Sequence, residues 1–220
     1  MKALIFDYDG LVVDSEYPEY LSWKEVYAGY NVELTEQVWT SAVGSVNAFD
    51  PKSTLERSTG LAFDWVEINL ERRRKLTERQ LRQTILPGVR ELMERGRAEG
   101  WRIGVASNST FIWVDEGLKR LGLRDYVEAL RTVDQVTSPK PHPEVYLRVL
   151  ADLGATAGES LAFEDSQPGI TAAKAAGLTV IAVPSALTRH QDLSLADRQV
   201  GSLAEFELPL AKRNGTAAAK

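Results

Sequence analysis

Short apolar runs, each halted by a polar cluster, constrain this chain more than any other feature. Ala3-Leu4-Ile5-Phe6 stops at Asp7, Ile103-Gly104-Val105-Ala106 at Ser107, and Leu161-Ala162-Phe163 at Glu164. Thr179-Val180-Ile181-Ala182-Val183 is a further run, and Ala129-Leu130-Arg131 a weaker one. Runs of this length and composition read as strands buried on both faces. Helical stripes fill the intervals. Val89, Leu92 and Met93 follow Pro87-Gly88; Val114, Leu118 and Leu121 close at Gly122; Tyr146, Val149, Leu150 and Leu153 close at Gly154. Strand and helix in alternation predict an α/β fold, a Rossmann-like parallel sheet covered on both faces.

One segment departs from the alternation. Residues 14–84 carry helical periodicity and no convincing strand: Trp23, Val26, Tyr27 and Tyr30 form one stripe, and Leu61, Trp65 and Ile68 another. An all-helical cap, residues 14–84, is therefore expected as an insertion into a discontinuous core of residues 1–13 and 85–208. Residues 209–220 form a peripheral tail without an apolar stripe. The cap's aromatic residues read as its packing core, and the loop from Gly44 to Pro51 as an element that faces a ligand. The basic run Arg72-Arg73-Arg74-Lys75 reads as a solvated helix face, with Glu71 paired to Arg74 or Lys75 and Glu78 to Arg82.

Composition removes several classes of function. Without cysteine the chain has no disulfide, thiolate zinc site or cysteine nucleophile, and two histidines do not make a histidine-rich metal site. A net charge of −5 gives no general field for nucleic acid or an anionic membrane. No apolar stretch is long enough for a membrane span, and the N-terminal run is too short for a secretory signal. A cytoplasmic protein, monomeric by default, is the expectation.

Four polar clusters fall where an open α/β sheet binds ligands, at or after the carboxyl ends of strands. They are Asp7-Tyr8-Asp9-Gly10, Ser107-Asn108-Ser109, the loop Ser138-Pro139-Lys140-Pro141-His142-Pro143, and Glu164-Asp165-Ser166. Asp7, Asp9, Glu164 and Asp165 would crowd negative charge onto one edge. Two unit charges 4 Å apart repel by about 4 kcal/mol at an effective dielectric of 20. A hard divalent cation with oxygen ligands removes that penalty, and Mg²⁺ suits a few carboxylates, waters and a phosphate oxygen. Ser107, Asn108 and Lys140 then serve the remaining phosphate oxygens. Asp7 has the chemistry of a nucleophile at phosphorus, and Asp9 that of an acid for the leaving oxygen and a base for water.

Together these clusters resemble the haloacid dehalogenase superfamily, in its branch of β-phosphoglucomutase and sugar-phosphate phosphatases. Asp7-Tyr8-Asp9-Gly10-Leu11-Val12-Val13-Asp14-Ser15-Glu16 is similar to the first motif of that family, and Val105-Ala106-Ser107-Asn108-Ser109 to the second. Lys140-Pro141-His142-Pro143-Glu144 is similar to the third, and Phe163-Glu164-Asp165-Ser166-Gln167-Pro168-Gly169 to the fourth. The resemblance implies a helical cap that closes over the site and selects substrates, and it adds the Asp9 main-chain carbonyl as a metal ligand. The activity it implies is that of an Mg²⁺-dependent phosphatase of a small phosphorylated metabolite, a sugar phosphate, working through an aspartyl phosphate.

Departures refine the expectation. The dehalogenases of the superfamily lack the second carboxylate of the first motif, and Asp9 here favours phosphoryl chemistry. The mutases carry a cap histidine and a Gly-x-x-Arg loop, where this chain reads Tyr17-Pro18-Glu19-Tyr20 and Gly44-Ser45-Val46-Asn47. Glu19, Ser45 and Asn47 are thus candidates for cap specificity. A phosphosugar mutase is the alternative outcome at the same site. A non-catalytic binding protein is the alternative of another class, but such relatives usually lose one of the four clusters.

Overall fold

The computed structural model describes residues 1–40 and 50–209, and β1 (Ala3–Phe6) runs through the middle of its one six-stranded sheet. β2 (Arg102–Ala106) and then β3 (Ala129–Arg131) lie on one side of β1; β4 (Leu161–Glu164), β5 (Thr179–Ala182) and β6 (Arg198–Gln199) lie on the other. Every neighbouring pair is parallel. The order β3-β2-β1-β4-β5-β6 turns back at β1, so the ends of β2, β1 and β4 stand side by side. Such a switch point is where open parallel sheets hold ligands.

The period of two along β1 feeds two cores. Leu4 and Phe6 join the cluster that buries α5 (Val89–Ala98) and α6 (Phe111–Arg120), through Leu92, Met93, Val114 and Leu118. Ala3 and Ile5 join the opposite cluster, against α7 (Glu144–Leu153) and α8 (Gln167–Ala175), through Val149, Leu150, Ile170 and Ala173. Both faces are therefore covered, which explains the continuous apolar runs. β6 is two exposed residues at the sheet's edge and has no apolar signal in the sequence.

Between β1 and β2, before α5, lie α1 (Glu16–Ala28), α2 (Glu36–Thr40), α3 (Pro51–Thr59) and α4 (Trp65–Leu81). They have a core of their own, in which Tyr20, Trp23, Tyr27, Leu34, Trp39 and Leu55 pack with Leu187. Tyrosine hydroxyls bind the intervening backbone, Tyr20 to the Leu34 carbonyl at 3.0 Å and Tyr27 to that of Pro51 at 2.7 Å. The stripe expected to start at Leu61 starts later. Asp64 caps α4 by accepting from the Val66 and Glu67 amides, leaving Leu61 exposed before the helix.

The basic run is also not uniformly solvated. Arg74 and Lys75 pair with Glu71, and Arg74 rather than Arg82 takes Glu78. Arg72 is buried. Its Nη1 lies 2.7 Å from both Glu19 Oε1 and Ser22 Oγ on α1, and its guanidinium carbon sits 4.4 Å from the centre of the Trp23 ring. No helix among the described residues is long and apolar enough to cross a membrane.

Candidate active site

Register sets the geometry. Phe6 pairs with Val105 on one side and Phe163 on the other, so Asp7, Ser107 and the Glu164-Asp165 pair emerge from three adjacent strand ends. Lys140 arrives from the loop between β3 and α7. That loop is fixed from two directions. Glu144 accepts the Thr137 and Ser138 amides, while the Asn108 side chain donates to the Lys140 carbonyl at 3.2 Å and accepts its amide at 2.9 Å.

Lys140 Nζ is the hub of the buried network. It lies 2.6 Å from Asp7 Oδ1, 2.6 Å from Glu164 Oε1 and 2.8 Å from the Ala106 carbonyl. Burial alone would lower its pKa, but Asp7 and Glu164 outweigh it and hold the ammonium charged. The Tyr146 hydroxyl also donates to Glu164 Oε1. Ser166 Oγ donates to the other oxygen at 3.3 Å. Burial raises the tyrosine's pKa well above its ordinary value, with Glu164 adding to the effect, so the phenol stays a donor.

The carboxylates exceed what one lysine can neutralise. Burial pushes Asp7 up to about 8 in spite of Lys140, and Glu164 adds to the rise. Burial likewise drives Asp165 well above the usual carboxylate range, reinforced by Asp7 and Glu164. Oxygens of Asp7, Glu164 and Asp165 lie within 4.8 Å of one another, all buried. Three converging hard oxygen donors with surplus negative charge fit a hard divalent cation. Close approach is built in at Gly10, where φ is +83° and a Cβ would fall 2.2 Å from Asp165 Oδ2. Gly169, near the start of α8, leaves room for Glu164 in the same way: a Cβ there would meet Oε2 at 2.0 Å.

Asp9 belongs to a separate network. Ser109 Oγ donates to its Oδ2 at 2.6 Å, Ser107 Oγ reaches the same oxygen at 3.5 Å, and Trp113 Nε1 donates to Oδ1 at 2.9 Å, where Ser15 Oγ also donates. A cleft of about 330 Å³ opens onto Asp9, walled by Ser15, Glu16 and Glu19 of the α1 region, Gln80 of α4, and Asn108 to Thr110 with Trp113. Burial, then Asp9 and Glu19, push Glu16 up to about 8.

The structure thus brings together Asp7, Ser107, Lys140, Glu164 and Asp165, with Asp9 and Asn108 alongside. Glu19 lines the cleft; Ser45 and Asn47 fall outside the described residues. The Asp9 carboxylate turns to its own donors and is not among the three clustered carboxylates, and the Asn108 amide clamps the Lys140 loop. Trp113 and Tyr146 are site residues that sequence reasoning passed over, and Ser109 and Glu16, quoted within the second cluster and the first motif, have no role assigned there. Tyr146 reads as one member of a core stripe and Trp113 belongs to no stripe read from the sequence, so neither donor has a spacing that would reveal it.

A parallel sheet with a carboxylate and lysine cluster at its switch point defines an α/β enzyme core. The chain belongs to the haloacid dehalogenase-like hydrolase family, whose sequence profile matches residues 4–183. It is 37% identical over 210 residues to a Bacillus subtilis protein named Putative phosphatase YhcW, covering 96% of each chain. Hexitol phosphatase B of Escherichia coli is 31% identical over 222 residues, covering 93% of each chain. In fold it resembles the crystal structure of CbbY from Rhodobacter sphaeroides in complex with phosphate, with a TM-score of 0.73, 24% identity, and coverage of 92% of this chain and 95% of that one.

Proposed function

We propose that the protein is an Mg²⁺-dependent phosphatase that hydrolyses a sugar phosphate through a phosphoryl group carried on Asp7. One observation carries the reading: two carboxylates on one short loop sit in different environments. Asp7 is buried against Lys140, whereas Asp9 faces a cleft and is held by hydroxyl and indole donors. Paired carboxylates with divergent surroundings suit a division of roles.

An Asp7 oxygen forms the new P–O bond as the ester P–O bond breaks, and Asp9 gives its proton to the departing alcohol oxygen. Water then attacks phosphorus while Asp9 takes up its proton, and the Asp7 carboxylate departs as inorganic phosphate is released. Lys140 and Ser107 stabilise charge on the phosphoryl oxygens, and Asn108 keeps Lys140 in place. Asp7, Glu164 and Asp165, with the Asp9 main-chain carbonyl, would hold Mg²⁺, which when bound draws negative charge off the phosphoryl oxygens. Residues 14–84 act as the cap over a core of residues 1–13 and 85–208, with Glu19, Ser45 and Asn47 contributing to substrate choice. The name of the hexitol phosphatase relative supports the substrate class.

Phosphate release tests the proposal. The purified protein is assayed on hexitol phosphates, hexose phosphates, phosphoglycolate and nucleotides, with Mg²⁺ and after chelation. Release from sugar phosphates that chelation abolishes is expected. Absence of release from every ester, or full activity after exhaustive chelation, refutes it.

A further inference from the structure

The cleft opening onto Asp9 has a lining that bears on what the departing alcohol carries. Its cap side is Glu16 and Glu19 from α1 and Gln80 from α4, which line it together with Asp9 and Trp113. No lysine, arginine or histidine lines it among the described residues.

A cation of the cap that touches this wall, Arg72, is already committed. Arg72 is buried behind Glu19, bonded to Glu19 Oε1 and Ser22 and stacked on Trp23. Trp23 Nε1 donates to the same Glu19 oxygen at 3.2 Å, whereas Glu19 Oε2 takes no hydrogen bond from the described residues. Glu16 takes none from them on either oxygen. Among the described residues the wall therefore offers carboxylate and amide groups that bond hydroxyls, beside an indole, and nothing that compensates a second anion. Burial is the first cause of the rise of Glu16 toward 8, with Asp9 and Glu19 adding to it.

We infer that the cap wall formed by Glu16, Glu19 and Gln80 is a charge filter, which admits phosphomonoesters of uncharged polyhydroxy alcohols and rejects esters bearing a second phosphate or a carboxylate. A second anion at this wall would leave water with no cation among the described residues to pair it, and building an uncompensated charge against the wrong ligand is one of the two routes to specificity. The inference rests on the phosphatase reading for the identity of the site, and it makes the wall the source of selectivity.

The test compares a hexitol monophosphate with a hexose 1,6-bisphosphate in two arms. The first measures kcat/KM for wild type, Glu19→Gln and Gln80→Lys, with Mg²⁺ present. The second measures binding of both ligands to Asp7→Asn by calorimetry, which needs no turnover. Wild type should favour the monophosphate by about a hundredfold, a factor equal to two tenfold steps of binding discrimination. Glu19→Gln, which removes one negative charge and unpairs Arg72, and Gln80→Lys, which adds a positive one, should each shrink that ratio by about tenfold. Equal or better use of the bisphosphate by wild type, or ratios unmoved in both variants, overturns the charge filter while leaving the phosphatase reading intact. Binding preference in Asp7→Asn without turnover in wild type supports the filter and refutes the phosphatase. Neither binding nor turnover of either ligand overturns both.

Discussion

Replacing Lys140 with methionine keeps the side-chain length and deletes the one positive charge in the buried carboxylate cluster. At 2.6 Å each contact of Lys140 Nζ with Asp7 and Glu164 has a Coulomb energy of about 6 kcal/mol at an effective dielectric of 20. Most of that is offset by the cost of taking the ions out of water, so the attraction is no measure of the loss. Breaking a buried pair by removing one partner costs about 3–5 kcal/mol, because the remaining charge is stranded. For a chain of this size that corresponds to a melting temperature lower by about 6–20 °C. The assay is thermal and urea unfolding of wild type and Lys140→Met at pH 7, each with and without Mg²⁺. The cation should restore part of the loss, since it answers the same surplus of negative charge. The loss should also grow as pH rises through about 8, where Asp7 of the wild type gives up its proton and Lys140 answers the charge. A loss below about 1 kcal/mol in metal-free protein, in the range of an exposed ion pair, would refute the picture of a charge-balanced buried cluster.

The remaining predictions concern protons, space and positioning. Metal-free protein should lose stability as pH rises from about 5 to 8, because Asp7, raised from 3.8 to about 8, and Asp165, also raised, keep protons in the fold that the unfolded chain releases. Stabilisation by Mg²⁺ should grow over the same window, and melting curves flat in pH would contradict this. Gly10→Ala should abolish turnover and weaken Mg²⁺ binding while the protein remains folded, since a Cβ would displace Asp165; calorimetric titration with Mg²⁺ checks it. Trp113→Phe removes one donor to Asp9 and keeps the ring. It should lower kcat by about tenfold, the scale of one hydrogen bond to a charged group, with Mg²⁺ affinity unchanged. An equal fall in Mg²⁺ affinity would make Trp113 a general structural support instead.

Much of this architecture is legible in the sequence because its signals are local. Ala3–Phe6 and Leu161–Glu164 are apolar runs with a chemical stop, and the stop is itself the site. Trp23 and Tyr27 lie one helical turn apart, which suffices to recognise a buried face. The features that eluded reading depend on partners distant along the chain. Arg72 looks solvated within a basic run, yet its carboxylate partner Glu19 is 53 residues away. Trp113 finds Asp9 across 104 residues, and Tyr146 serves at once as core packing and as a donor to Glu164. β6 is two exposed residues, paired because β5 presents an edge and not because its own composition asks for a strand. Leu61 fits the helical spacing, but Asp64 caps the helix beyond it, too late for it to join.

The nucleophile is the centre of the account, and Asp9→Asn isolates it. The substitution keeps the main-chain carbonyl and the Asp7 carboxylate but removes the group that activates water. Acid–base groups contribute about 10²–10⁴-fold, so the second step should become the slow one. Acetyl phosphate has a good leaving group and needs little protonation, so the first step should survive. With Mg²⁺ and acetyl phosphate, Asp9→Asn should accumulate one covalent phosphate, located by mass spectrometry on Asp7. The double variant carrying Asp7→Asn as well should stay unlabelled. Phosphate on any other residue, or equal labelling of the double variant, would contradict the assignment of Asp7 and the mechanism built on it.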